Sequence, residues 1–107
     1  MTVKRRAHHD LAAVQAKFFS VDTLEISGTA FRSAQALGFG LEDVVKAVQT
    51  LARSDFVKSA TQHHPPNHRC WHDTYKSQQR DDYLFLKFAG ETLVDVTLVS
   101  FKEVGDG

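Results

Sequence analysis

The spacing of apolar residues changes near Asp55, and this change constrains the fold more than any other feature of the chain. Before Asp55, apolar residues recur every three or four positions, as on one face of a helix. After Asp55 they alternate with polar residues, as in strands with one buried face. Helices followed by strands do not build the alternating units of a parallel sheet. The pattern predicts an α+β fold, with N-terminal helices packed on a mainly antiparallel sheet.

Three segments in the first half have the pattern of amphipathic helices. The first begins after Asp10, a residue type that commonly caps helices. The second begins near Ser27 or Thr29 and ends at Gly38, a residue type favoured after a helix. The third covers residues 41–51 and has the most continuous apolar face, so we expect it to pack against the sheet.

The second half contains the alternating segments. Strands are predicted near residues 56–62, 69–76, 83–89 and 93–102. The connections between them contain turn-forming residues, at Pro65–Pro66–Asn67, Ser77–Asp82 and Ala89–Gly90–Glu91. Because these connections are short, consecutive strands should pair as an antiparallel meander.

The predicted strand 83–89 carries aromatic rings and a cation on one face. Its core-facing positions are Leu84, Leu86 and Phe88, and its opposite face carries Tyr83, Phe85 and Lys87. A stripe of aromatic and basic side chains can stack bases and neutralise phosphates. A half-exposed strand whose aromatic rings close a small second apolar cluster fits the same pattern.

Composition limits the classes of function. The chain has 107 residues, of which 42% are hydrophobic and 24% charged, and this fits one compact domain spanning residues 1–107. No apolar run is long enough to cross a bilayer, and the N-terminus lacks the apolar stretch of a secretion signal. Cys70 is the one cysteine, which excludes an internal disulfide. We therefore expect a cytoplasmic protein without a membrane partner.

Basic residues and histidines concentrate between positions 53 and 80, although the formal net charge of the chain is +0. The segment contains Arg53, Lys58, Arg69, Lys76 and Arg80 against Asp55 and Asp73, together with His63, His64, His68 and His72. A local basic band is compatible with a phosphate partner, and it is equally compatible with an ordinary solvated surface. The histidine spacing matches no common zinc pattern, so we predict no metal and no other cofactor.

The sequence lacks the motifs of most hydrolases. It contains no glycine-rich phosphate loop, no nucleophile elbow, no His-Glu-x-x-His and no carboxylate set suited to magnesium. Metal-free cleavage of RNA remains possible, because the ribose 2′-hydroxyl can attack the adjacent phosphorus. Such a site needs cations that stabilise the phosphate charge and one or two groups that transfer protons. His72 suits proton transfer near neutral pH, while a surface histidine on a strand fits its position as well.

Short motifs in both halves of the chain resemble the motility quorum-sensing regulator (MqsR) toxins, which are mRNA interferases of type II toxin–antitoxin systems with a RelE-like fold. The motifs keep the family order and extend over nearly the whole chain: Lys4-Arg5, His8, Leu11, Val14, Leu37-Gly38, Ser54-Asp55-Phe56, Lys58-Ser59, Trp71, Asp73, Tyr75, Leu86-Lys87 and Val99-Ser100-Phe101-Lys102-Glu103. The resemblance implies ribosome-independent cleavage of mRNA. It also implies a cognate MqsA-like antitoxin that neutralises the toxin, and contact with operator DNA only through the antitoxin complex.

The resemblance implies an active site that contains Lys58 and Lys102. Two other family positions differ in this chain. The glutamine that commonly follows the tryptophan is His72, and the tyrosine before Leu-Lys falls on Phe85, which has no hydroxyl group. We therefore expect His72 to be the main proton-transfer residue.

Tyr83 lies two residues before Phe85 on the same predicted strand face, so we expect it to replace the missing hydroxyl in part. Roles in RNA binding are expected for Arg69, Phe85 and Lys87. Two other functions fit the sequence. One is an antitoxin-binding module of reduced activity that acts in operon autoregulation, and the other is a metallohydrolase built from the histidine cluster.

Overall fold

The computed structural model describes residues 2–105, which form three α-helices and a five-stranded antiparallel sheet. The helices are Leu11–Lys17 (α1), Gly28–Ala36 (α2) and Leu41–Gln49 (α3). The strands are Val3–Lys4 (β1), Phe56–Gln62 (β2), Asn67–Gln79 (β3), Asp82–Gly90 (β4) and Thr97–Glu103 (β5), and they neighbour one another in that order. The predicted α+β class is confirmed. No helix within residues 2–105 is both long and apolar enough to span a membrane.

The helix boundaries follow the predicted caps. The Asp10 carboxylate and the Ser27 hydroxyl each accept a hydrogen bond of 3.1 Å from a backbone N–H in the first turn of their helix. Gly38 follows α2 with a φ of 85°, which glycine adopts without steric cost. α3 ends before Leu51, whose side chain is nevertheless buried in the core.

The helices cover one face of the sheet. Tyr75, Leu86 and Phe101 are aligned on β3, β4 and β5, and all three are buried. They belong to one apolar cluster with residues from all three helices, including Val14, Ala34, Val44 and Val48. Leu84, Leu86 and Phe88 are buried as predicted, so the intervening residues of β4 point to the opposite, helix-free face. We call this opposite side the open face.

The connection between β3 and β4 is shorter than predicted. Ser77 and Gln79 remain paired with β4, and only Arg80 and Asp81 form the turn. Arg80 has a φ of 58°, the left-handed conformation that a tight hairpin turn requires. The prediction of a loop over residues 77–82 was therefore wrong.

The start of β5 was also predicted wrongly. Residues 93–96 belong to the turn after β4, and β5 begins at Thr97. The Asp95 carboxylate organises this turn by accepting hydrogen bonds from the backbone N–H groups of Glu91 at 3.0 Å and Thr92 at 2.8 Å. These bonds lower the pKa of Asp95 to about 2. Leu93 and Val94, whose apolar character suggested a strand, are exposed.

Candidate active site

The open face brings together lysines that are far apart in the sequence. Lys58 on β2 is aligned with Thr74 on β3, and Thr74 is aligned with Lys87 on β4. Because adjacent strands are about 4.8 Å apart, the backbones of Lys58 and Lys87 are separated by about 10 Å. Lys102 on β5 is aligned with Phe85, so it is a diagonal neighbour of Lys87.

A pocket of about 270 Å³ lies over this part of the open face. Its lining includes Lys58, His72, Thr74 and Lys87 from the strands, with His63 and His64 from the β2–β3 connection. None of the described residues that line it is acidic. The pocket is therefore suited to an anion.

Lys87 occupies the centre of the cationic group. Partial burial lowers the pKa of Lys87, and the positive charges of Lys102 and Lys58 lower it further. An amino group with a lowered pKa releases its proton more readily than an ordinary lysine. Lys87 was predicted only as an RNA-binding residue, because its position between the other two lysines depends on strand register.

His72 lines the pocket from β3. Burial lowers the pKa of His72, the positive charge of Lys87 lowers it further, and Asp73 opposes the shift in part. The lowered pKa favours the neutral ring, in which one nitrogen can accept a proton. Nε2 is buried and has no hydrogen-bond partner among residues 2–105. A buried side-chain nitrogen without a hydrogen-bond partner is uncommon in folded proteins.

The remaining predicted site residues lie farther away. Phe85 lies on the open face, aligned with Lys76 on one side and Lys102 on the other. Tyr83 is four residues from Lys87 along β4, which corresponds to about 13 Å. It lines a different pocket and is not brought together with His72. Arg69 is exposed on β3 and is not among the residues that line the pocket of His72.

The histidines of the β2–β3 connection lie close to each other. The ring centroids of His63 and His64 are 4.0 Å apart, and both residues line the pocket of His72. In the described part of the chain, no three histidine, cysteine, aspartate or glutamate side chains are arranged to hold a metal ion. The metallohydrolase alternative therefore has no ligand set within residues 2–105.

The family model described as motility quorum-sensing regulator, toxin of MqsA, matches residues 6–103. The chain belongs to the MqsR toxin family. This match confirms the resemblance inferred from the short motifs, and it makes the chain a toxin of a toxin–antitoxin system whose partner is an antitoxin of the MqsA type. A comparison with curated proteins gave no match.

The motifs shared with the MqsR family fall on both faces of the sheet. Lys58 and Lys102 point to the open face, whereas Ser59 and Asp73 point inward and are buried. The Asp73 carboxylate is 1% exposed. It accepts hydrogen bonds from the backbone N–H groups of His8 at 3.0 Å and His9 at 2.9 Å, and from the Ser59 hydroxyl at 2.5 Å. Asp73 therefore anchors the N-terminal segment to the sheet.

Aromatic and cationic contacts hold the same segment at a second point. The ring of His8 stacks on Trp71 with centroids 5.5 Å apart, and Lys4 Nζ lies 4.1 Å from the Trp71 ring centroid. Val3 and Lys4 form β1, which pairs with Ala60 and Ser59 of β2. Sequence reasoning missed these structural roles. The alternation in β2 and β3 did, however, place Ser59 and Asp73 on the other face of the sheet from Lys58 and His72.

Replacing Asp73 by alanine should lower the free energy of unfolding by about 3 kcal/mol, because two buried donors and one partly buried donor lose their acceptor. The measurement is urea unfolding of wild type and variant. Asp22→Ala, at an exposed position between α1 and α2, is the matched control and should change stability by less than about 0.5 kcal/mol. Equal unfolding midpoints for the two variants would contradict the anchoring role of Asp73.

Proposed function

We propose that this toxin is a metal-independent endoribonuclease that cleaves mRNA without the ribosome, and that its active site is the open face around His72. The observation that carries the proposal is the position of Lys58, Lys87, Lys102 and His72, from four different strands, on one face of the sheet. Lys58, Lys87 and His72 line one pocket, and Lys102 lies beside Lys87 outside that lining. A cationic pocket attracts the phosphate backbone of RNA. Membership of the MqsR toxin family supports the same assignment.

The side chains have distinct roles in the proposed reaction. The neutral His72 ring accepts the proton of the ribose 2′-hydroxyl, and the 2′-oxygen attacks the adjacent phosphorus. Lys58 and Lys102 stabilise the charge that develops on the nonbridging oxygens. The bond between phosphorus and the 5′-oxygen breaks, and Lys87, whose pKa is lowered, donates a proton to that oxygen. The products are a 2′,3′-cyclic phosphate and a 5′-hydroxyl, and proton exchange with solvent restores both residues.

The cellular role follows from this chemistry and from the family. Cleavage of mRNA in the cytoplasm would stop translation and growth. An MqsA-like antitoxin would neutralise the toxin, and the toxin would reach operator DNA only within the antitoxin complex.

The test uses purified protein and RNA oligonucleotides in the presence of a chelator. Cleavage should persist under chelation and give fragments that end in a 2′,3′-cyclic phosphate. Removing the 2′-hydroxyl from the nucleotide at the cleaved bond should abolish cleavage at that bond alone, because the nucleophile is lost. Cleavage at a 2′-deoxy position, or complete loss of activity with chelator, would contradict the mechanism.

A second candidate function is supported by Phe85. This residue lies between Lys76 and Lys102 on the open face and cannot donate a proton or a hydrogen bond to phosphate. A chain with a weakened site would act mainly as an antitoxin-binding module in operon regulation. Expression in a bacterium without the antitoxin distinguishes the two functions: growth arrest with mRNA fragments of defined ends supports the nuclease, and harmless expression of folded protein supports the binding module.

A further inference from the structure

A second pocket on the open face adjoins the proposed active site. It has a volume of about 430 Å³, and its lining includes Asp55, Val57, Lys76, Gln78 and Tyr83. We call it the Tyr83 pocket. Tyr83 on β4 is aligned with Gln78 on β3. Val57 is an extra residue of β2, between Phe56 and Lys58, where the pairing of β2 with β3 shifts by one residue. The proposed cleavage chemistry uses none of these five side chains.

The walls of the Tyr83 pocket suit a flat ring. Tyr83 and Val57 are 51% and 46% exposed, and they stand on β4 and β2 with β3 between them. Val57 lies beside the Lys58–Thr74 pair, three to four residues along the sheet from the Tyr83–Gln78 pair, so the backbones of Val57 and Tyr83 are about 15 Å apart. A base stacked on Tyr83 would therefore have Gln78 and Lys76 as its neighbours on β3. Lys76 Nζ lies 5.1 Å from the Tyr83 ring centroid and adds a positive charge beside the aromatic surface. Aromatic and cationic side chains together are the usual contacts of single-stranded RNA.

The polar groups of the pocket suit the edge of a base. Asp55 is held in place because one carboxylate oxygen accepts a hydrogen bond of 2.8 Å from the backbone N–H of Ala52. A carboxylate only accepts hydrogen bonds, whereas the Gln78 amide both donates and accepts. Together they favour a base with an exocyclic amino group, such as adenine, cytosine or guanine, over uracil.

The Tyr83 pocket lies near the lysines that are proposed to hold the cleaved phosphate. Val57 directly precedes Lys58, and Gln78 and Tyr83 are each four residues, about 13 Å, from the aligned Thr74 and Lys87 of the active-site pocket. We propose that the Tyr83 pocket binds the nucleobase next to the cleaved phosphate, with Tyr83 as the stacking residue and Gln78 and Asp55 as the residues that recognise its amino group. This inference rests on the proposed nuclease function.

The first test measures affinity for an RNA made uncleavable by 2′-deoxy substitution at the scissile nucleotide. Tyr83→Ala should weaken binding by about ten- to a hundredfold, and Tyr83→Phe, which keeps the ring, by less than about twofold. Phe19→Ala is the matched control, because Phe19 is an exposed aromatic residue, 64% accessible, in the connection after α1. It should leave RNA affinity unchanged.

A series of RNAs with a single abasic nucleotide identifies the bound base. At one position next to the scissile phosphate, removal of the base should abolish the difference between wild type and Tyr83→Ala, because the stacking partner is missing. At every other position the difference should persist. A difference that persists at all positions, or an unchanged affinity of Tyr83→Ala, would overturn the proposal.

A third test, with the variant Gln78→Ala, examines recognition of the amino group. Wild type should bind RNA with uracil at the identified position about five- to tenfold more weakly than RNA with an amino-bearing base, and Gln78→Ala should reduce this preference. Equal affinity of wild type for all four bases would contradict the assigned role of Gln78 and Asp55.

The same measurements test the proposed base-binding role of the pocket independently of the proposed nuclease activity. Wild-type protein that binds RNA with the expected Tyr83 dependence but never cleaves it would refute the proposed activity and leave the pocket assignment intact. Cleavage by wild type together with unchanged affinity of Tyr83→Ala would refute the pocket alone. Wild-type protein that binds no RNA would refute both.

Discussion

His72→Ala should slow RNA cleavage by about a hundred- to ten-thousandfold, the range expected when a general base is removed. The ring lines the pocket of Lys58 and Lys87, and its buried Nε2 has no hydrogen-bond partner among residues 2–105. Of the three histidines that line this pocket, His72 is the one held on a strand of the sheet. The measurement is kcat/KM on a cleavable oligonucleotide. Most of the loss should appear in kcat, because the proton moves in the chemical step.

The pH dependence of cleavage follows from the charge state of His72. Burial and the positive charge of Lys87 lower the pKa of His72 below 6.5, so the proton-accepting form predominates at pH 7. The rate should fall only as the pH drops through this lowered pKa, because the protonated ring cannot act as a base. His72→Ala should lose this acidic decline along with most of its activity.

The matched control for His72 is His68→Ala. His68 is an exposed histidine on β3 that does not line the pocket, and its replacement should leave both the rate and the pH profile unchanged. The same rate and pH profile in His72→Ala and wild type would remove His72 from the mechanism.

Lys58→Ala and Lys102→Ala should each reduce cleavage by about ten- to a thousandfold, the effect of losing one group that stabilises a developing oxyanion. The two lysines stand on β2 and β5, on either side of Lys87. Because both would act on the same phosphate, the double variant should lose less than the product of the two single losses. An arginine at either position should recover part of the activity, since it keeps the charge but changes the geometry.

The control for the lysine variants is Lys46→Ala. Lys46 is an exposed lysine of α3, on the opposite side of the sheet from the open face, so its loss removes the same charge without touching the site. Cleavage within experimental error of wild type by both Lys58→Ala and Lys102→Ala would refute the proposed active site.

Local patterns predicted the parts of this fold that depend on neighbouring residues. The alternation in residues 83–89 placed Leu86 in the core and Lys87 on the open face, and Asp10 and Gly38 marked helix ends. These outcomes follow from the periods of strands and helices and from capping chemistry, which act within a few residues.

The failures have a common physical origin in contacts between distant residues. β1 has two residues, too few to form a pattern, and it exists because it pairs with Ala60 and Ser59 of β2. Leu93 and Val94 look like a strand, but the hydrogen bonds of the Asp95 carboxylate favour a turn there. The central position of Lys87 depends on the registers of β2, β3, β4 and β5, which short windows of sequence do not define.

The order of the strands has a consequence for how such a toxin is made. β5 is the edge strand on the side away from β1, and it contributes both Lys102 and the core residues Leu98 and Phe101. A nascent polypeptide that has not yet released β5 from the ribosome has neither a complete core nor the second phosphate-stabilising lysine. Under the proposed function, copies that terminate before β5 lack cleavage activity.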